Sequence, residues 1–197
     1  MNWRPPALPA RAPFLYGNAG NHLLDGDAGV DLIVGGAGND TYFVNDAGDL
    51  VFEGLNEGSD AVFAMVSAIL PANVEALVLR GSGNLSGTGN TLANQLYGNA
   101  GDNRLDGGAE SDLLTGGAGN DTFVFQAGQA DGDIIVDFDG SGLAAGDSLQ
   151  FVGYGADATL TRNDAAHWQI TYDGGASQEI IAFMSGASVD ASDVFFV

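Results

Sequence analysis

Large apolar residues recur every nine positions in two stretches of the chain, each unit opening on a glycine-rich, polar run. In the first stretch the units are GNAGNHLLD from Gly17, GDAGVDLIV from Gly26 and GGAGNDTYF from Gly35, with Leu24, Ile33 and Tyr42 at position eight. In the second, GGAESDLLT and GGAGNDTFV follow one another from Gly107, with Leu114 and Phe123 at position eight. Six residues of this kind must reverse the chain tightly, and glycine accepts backbone angles that other residues avoid. The three that follow read as a short strand whose central side chain points inward. Such a strand is not stable alone, but stacked copies share a core and a hydrogen-bond ladder. Two units complete one coil, so turns eighteen residues apart lie above one another. Asp31 and Asp49 have that separation and Val51 keeps the apolar phase, so the repeat continues through VNDAGDLVF.

Between the two stretches the pattern loosens. In Glu53–Arg80 glycine drops and apolar residues rise; the β-branched residues of AVFAMVSAIL favour strands, and Asn73–Arg80 alternates as a strand does. Gly81–Leu96 alternates Asn and Gly with Leu85, Leu92 and Leu96, which reads as degenerate coils held by stacked Asn side chains. Beyond Gln126 the nonapeptide stops. Trp168, Ile170 and Tyr172 alternate on one face, and Asp173-Gly174-Gly175 is a hairpin signal, so antiparallel strands are expected to cap the open end. The expected divisions are a Pro-rich disordered lead-in over 1–15, a first roll over 16–52 and a spacer continuing the parallel coil over 53–97. A second roll over 98–125 and a C-terminal β cap over 126–197 complete the chain. The fold class is all-β: a right-handed parallel β-roll or β-helix of two blocks joined by degenerate coils.

Acidic residues number 26 against five basic ones, all Arg, for a net charge of −21. That excludes nucleic acid and anionic membranes as partners. It also predicts self-repulsion unless a counter-cation is present, and 31 glycines add entropy cost to ordering. The metal-free chain is therefore expected to be largely unfolded, with the cation supplying folding free energy. No cysteine is present, no run is long enough to span a membrane, and MNWRPPALPARAPF lacks the continuous apolar region of a Sec signal.

The chemistry sits at position six, which holds His22, Asp31, Asp40, Asp112 and Asp121. Stacked turns bring these carboxylates together with free backbone carbonyls, and hard oxygen donors at that density suit Ca²⁺ over transition metals. The units match G-G-x-G-x-D-x-U-x, the pattern of a calcium-binding parallel β-roll. On these residues the chain resembles the repeats-in-toxin (RTX) family of secreted proteins. In that family each ion takes alternating carbonyls and the position-six Asp from one turn and from the turn one coil on. The resemblance thus implies a site pairing Asp31 with Asp49, plus carbonyls of Asp27, Gly29, Val44 and Asp46. A second takes Asp40 with the carbonyls of Gly35 and Ala37, facing the Gly17 turn. A third takes Asp121, Gly116 and Ala118, facing the Gly98 turn, and Asp112 serves the next site along. Gly36, Gly38, Gly108, Gly117 and Gly119 are implied as further turn residues of these sites. Asn18, Gly20, Asn99 and Gly101 are implied on the facing turns. His22 and Asn103 stand where Asp is expected, and Glu110 replaces the fourth-position glycine. Asp60 is a candidate to close the first ladder, and Asp133, Asp137 and Asp147 are candidates for a further ion.

Several Ca²⁺ ions are thus the expected cofactors, and catalysis is not expected. There is no HExxH, no G-x-S-x-G and no Cys, and His22 and His167 lie far apart, His167 as a solvent-facing strand residue. The ending SVDASDVFFV resembles the uncleaved signal of type I secretion, which implies a type I transporter as partner and an extracellular location. A monomer is expected, with no membrane insertion. The alternative is a carbohydrate-binding accessory or adhesion module of a larger protein. Five scattered arginines give no basic stripe for an acidic polysaccharide, leaving a neutral glycan. An ice-binding face would need a regular row at position seven, where Leu23, Leu32, Thr41, Arg104, Leu113 and Thr122 alternate irregularly.

Overall fold

The computed structural model describes residues 14–140, 146–184 and 187–197. Short strands follow one another at nearly constant spacing. The first block contains β1 (Phe14–Tyr16), β2 (Leu23–Asp25), β3 (Leu32–Val34), β4 (Thr41–Val44) and β5 (Leu50–Phe52). The spacer contributes β6 (Ala61–Ala64), β7 (Ala68–Ile69), β8 (Ala76–Leu79), β9 (Ser86–Thr88) and β10 (Gln95–Tyr97). The second block adds β11 (Arg104–Asp106), β12 (Leu113–Thr115) and β13 (Thr122–Gln126). Then come β14 (Ile134–Ile135), β15 (Ser148–Val152), β16 (Thr159–Arg162), β17 (His167–Tyr172), β18 (Ser177–Phe183) and β19 (Val194–Phe196).

Even-numbered strands from β2 to β14 pair in parallel on one side, and odd-numbered strands line the other. The position-eight residues stack into columns. On the even side Leu24, Tyr42, Val62, Leu77, Leu96, Leu114 and Ile135 are in register. All seven are buried, and with Ile33, Leu105, Phe123 and Leu149 from the odd side they form one continuous core. Burying such a column removes about 1.5–3 kcal/mol of apolar exposure per large side chain. The ladder is kept while the coil length varies: Thr41 pairs with Ala61, Ala61 with Ala76 and Ala76 with Gln95. The loops absorb the difference, so the spacer is part of the same solenoid.

Within the degenerate coils the inward place of β9 belongs to Gly87, not to a leucine. A Cβ there would sit 3.0 Å from Leu77 Cδ2 and 3.3 Å from Leu105 Cδ2, so neighbouring leucines fill the space. Leu85 packs against the core from a half-buried position. On the odd side the sheet is broken. β1, β3 and β5 form one sheet, β7 to β19 another, and a cleft lined by Val51, Val62, Val66 and Ala68 separates them. Among the described residues, strand pairing links the two blocks only through the even sheet.

Among the described residues antiparallel pairing is confined to β16, β17 and β18, the segment where antiparallel capping strands are expected. β14, β15 and β19 still pair in parallel and prolong the roll. β18 joins β14 in parallel, which stitches the cap onto the even sheet. A one-turn 3-10 segment, Asp173–Gly175, makes the hairpin between β17 and β18. His167 is exposed and meets Asp164 at 2.8 Å. At the other end β1 begins at Phe14, inside the expected lead-in. The rest of that lead-in, residues 1–13, lies outside the described residues. Among the described residues no helix is long and apolar enough to cross a membrane.

Candidate metal centre

The turns between strands form two rows, one along each edge of the roll. Within a row, backbone N–H groups of position-six residues donate to the carboxylate one coil further on. His22 N donates to Asp40 Oδ1 (2.7 Å) and Asp40 N to Asp60 Oδ1 (2.7 Å). Asn94 N donates to Asp112 Oδ1 (2.7 Å), and Asp112 N to Asp133 Oδ1 (2.9 Å). In the second row Asp31 N donates to Asp49 Oδ1 (3.0 Å), Asn103 N to Asp121 Oδ1 (2.7 Å) and Asp121 N to Asp147 Oδ1 (2.8 Å). Four acidic pairs are thereby stacked: Asp31 with Asp49, Asp40 with Asp60, Asp112 with Asp133 and Asp121 with Asp147.

The first member of each pair leaves at least one carboxylate oxygen unused, whereas both oxygens of Asp49 and of Asp147 accept backbone N–H groups. Oδ2 of Asp40, Asp112 and Asp121 is buried with no hydrogen-bond partner, as are both oxygens of Asp31. A buried, unpaired carboxylate oxygen is costly, because nothing replaces the water it has lost. The turn is shaped around it. A Cβ at Gly26 would fall on Asp31 Oδ2, one at Gly107 on Asp112 Oδ2, and one at Gly116 on Asp121 Oδ2. Positions two and four adopt positive φ in all four turns: 86° and 131° at Gly36 and Gly38, 96° and 123° at Gly117 and Gly119. Asp27 (59°) and Glu110 (68°) hold such angles without being glycine.

Electrostatics point the same way. Burial, and then the charge of Asp49, raises the Asp31 carboxyl above its ordinary range. Burial pushes Asp112 up to about 7, Asp121 up to about 6 and Asp133 up to about 8, with neighbouring carboxylates adding to each. Asp60 and Asp147 are raised by burial as well. Without a positive charge, the folded turns press these groups toward protonation.

Turns closed by Asn are built differently. Asn94 Oδ1 accepts from Asn90 N at 2.7 Å, and Asn103 Oδ1 from Asn99 N at 2.6 Å. Asn90 Nδ2 donates to the carbonyls of Pro71 (2.7 Å) and Val74 (2.8 Å) in the coil below. Asn99 Nδ2 does the same to Arg80 (3.2 Å) and Gly83 (3.0 Å). No residue of 89–94 or 98–103 has positive φ. Here a side-chain amide gathers the carbonyls.

Asp31 and Asp49 are brought together, with the Asp27 carbonyl beside them accepting from Asn45 Nδ2 (2.5 Å). Asp46 folds its side chain back onto Gly48 N (2.9 Å), and Val44 ends β4, its carbonyl accepting from Met65 N (2.8 Å) in the sheet. Gly29 takes a φ of 127° in its turn. Asp40 meets the Gly17 turn only through Oδ1, which His22 N and Nδ1 (2.9 Å) occupy. A Cβ at Gly35 would touch Asp40 Oδ2 and Glu53 Oε1, so the free oxygen looks toward Glu53. The Ala37 carbonyl accepts from Gly20 N (2.5 Å), and Gly36 lies over the Asn18 carbonyl. Asp121 likewise meets the Gly98 turn through Oδ1. Between those turns Ala118 N donates to the Asn99 carbonyl (3.1 Å), and Gly119 lies over the Gly101 carbonyl. Gly108 lies over the Asn90 carbonyl. Asp137 instead receives Gly116 N and Gly117 N, each at 2.8 Å.

Glu53 escaped the sequence reading. It stands where a position-one glycine is expected, and that substitution is the signal that could have found it. Its carboxylate, with those of Asp40 and Asp60, offers oxygens all within 4.8 Å of one another.

These donor sets fit Ca²⁺: stacked carboxylates, orphaned oxygens and turn carbonyls, with no nitrogen or sulfur ligand required. Asp31, Asp40, Asp112 and Asp121, with their stacked partners, are the side chains that would hold it, and the ion would supply the charge these turns lack. Fold and turns together define a parallel β-roll of the calcium-binding type. Residues 14–42 and 88–123 match the family model for the RTX calcium-binding nonapeptide repeat, in four copies, and these segments are RTX repeats. An endo-1,3-1,4-beta-glycanase, ExsH, of Rhizobium meliloti (strain 1021) is 32% identical over 90 residues. That match spans 45% of this chain but only 19% of the glycanase. The solution structure of the AlgE6R2 subunit from the Azotobacter vinelandii mannuronan C5-epimerase aligns over 95% of this chain and 94% of its own. Its identity is 19% and its TM-score 0.28.

Proposed function

We propose that this chain is an exported module that folds when it meets calcium. The observation that carries the reading is the set of buried carboxylate oxygens without partners at Asp31, Asp40, Asp112 and Asp121. Extracellular calcium modules bind at about 10⁻⁴–10⁻³ M. Sites of that affinity stay empty at cytosolic Ca²⁺ and fill outside the cell. An empty roll carries −21 charge and 31 glycines with nothing to offset them, which keeps the chain threadable through a type I transporter. Far-ultraviolet circular dichroism in EGTA and in 5 mM Ca²⁺ tests this. At pH 8 the β spectrum is expected to appear only with Ca²⁺; a β spectrum identical in both contradicts the reading.

A second reading rests on the match to a glycanase. The module would then accompany a glycan-active enzyme and present a neutral glycan, since five arginines provide no basic stripe for an acidic one. Binding on an array of neutral and acidic glycans in 5 mM Ca²⁺ tests it; silence across the array removes it.

A further inference from the structure

We propose that Asp40, Glu53 and Asp60 form a three-carboxylate calcium site that binds the first and tightest ion and seeds folding of the roll. This rests on the calcium reading above and goes beyond it by ranking the sites. Among the described residues no other trio of acidic or His side chains converges this closely: the three offer oxygens within 4.8 Å of one another. Asp40 is 1% exposed, and its Oδ2 has no partner. A Cβ placed on Gly35 would meet Asp40 Oδ2, Glu53 Oε1 and the Tyr42 hydroxyl at once, so these three atoms surround one small space.

The surrounding contacts hold the trio in place and leave it facing inward. His22 N and Nδ1 occupy Asp40 Oδ1, which leaves Oδ2 to the cluster. Asp60 Oδ1 accepts from Asp40 N, which ties the two turns together. Tyr42, fully buried, donates its hydroxyl to Glu53 Oε1, and Gly54 N donates to Glu53 Oε2 at 3.1 Å. Tyr42 is thus a positioning residue: it sits in the core column and fixes a ligand at the turn. The other stacked pairs bring two carboxylates each. Calcium affinity rises with ligand charge, and this site brings three. It also lies where the first block meets the spacer, between the β3–β4 coil and the β5–β6 coil, whose strands pair in both sheets.

Calcium titration against a competing chelator, with circular dichroism in parallel, tests the proposal. Wild-type protein is expected to show one tight ion followed by weaker ones. Glu53→Gln is expected to weaken the tight ion at least about ten-fold, leave the weaker ions in place, and still fold in 10 mM Ca²⁺. Glu110→Gln, in the second block and far from the trio, is expected to leave the tight ion at its wild-type affinity. Wild-type binding with a coincident Glu53→Gln isotherm overturns this proposal alone. No binding by the wild type overturns the calcium reading itself. If Glu53→Gln does not fold, Tyr42→Phe decides with Tb³⁺ as probe. Emission from the first equivalent, sensitised through Tyr42, is expected in wild type and lost in the variant, and first-equivalent emission unchanged in Tyr42→Phe overturns the proposal.

Discussion

Turns closed by Asp and turns closed by Asn occupy equivalent places in one solenoid and solve the same problem in two ways. At 107–112 and 116–121 the position-six Asp leaves Oδ2 buried and unpaired, and the backbone visits positive φ twice. At 89–94 and 98–103 the position-six Asn receives the position-two N–H, and the position-two Asn reaches down to two carbonyls below. The amide nitrogen of Asn90 or Asn99 does for those carbonyls what a cation would do beside Asp. On this account calcium dependence belongs to individual turns. The core columns beneath are the same in both regions.

That shared core gives the largest expected effect. Leu96→Ala and Leu114→Ala, beneath an Asn turn and an Asp turn, are both expected to cost about 2–5 kcal/mol in saturating Ca²⁺, read by thermal unfolding. A cost confined to one of them would show that the columns beneath the two turn classes are not equivalent.

Next comes a transplant. Gly108→Asn with Asp112→Asn writes the G-N-x-x-x-N turn into the second block. It is expected to remove the ion held by Asp112, counted by calorimetry. It forfeits about 2.7 kcal/mol of linkage when Ca²⁺ stands a hundred-fold above the site's Kd. In EGTA the same variant is expected to be more stable than wild type. A variant less stable than wild type in both conditions would show that the amide does not stand in for the ion.

Acid separates the two turn classes without mutation. The folded, metal-free roll holds Glu53 and Asp112 up to about 7, Asp121 up to about 6 and Asp133 up to about 8, all raised by burial. The unfolded chain titrates these groups near 4. The folded form therefore binds more protons, and its stability falls as pH rises through 6–8. In EGTA, β structure is expected near pH 5 and lost toward pH 8. In limiting Ca²⁺ the order reverses, because protons compete with the ion. Circular dichroism across this range checks both arms.

The smallest effect concerns Glu110, which holds a φ of 68° at a place suited to glycine. Glu110→Gly is expected to stabilise the calcium-loaded form by about 0.5–1 kcal/mol. A loss of that size would show that the Glu110 carboxylate contributes to the neighbouring site.

The nine-residue period made the strands, the two rows of turns and the position-six acids legible in the sequence, because one inward side chain per strand and one acid per turn recur at fixed places. The spacer was less legible: loop lengths change there, and only the ladder shows that Thr41 pairs with Ala61 and Ala61 with Ala76. The inward role of Gly87 was hidden, since neighbouring leucines supply the volume. Glu53 was hidden because its position normally carries no side chain. The pairing of Asp40 was read toward the Gly17 turn, because the repeat does not reveal that His22 occupies that side.

The most direct measurement is anomalous diffraction from crystals grown in millimolar Ca²⁺. Ion peaks are expected beside the stacked pairs Asp31–Asp49, Asp40–Asp60, Asp112–Asp133 and Asp121–Asp147, with none where Asn90 and Asn99 gather their carbonyls. Empty aspartate turns, or ions at the asparagine amides, would contradict the account.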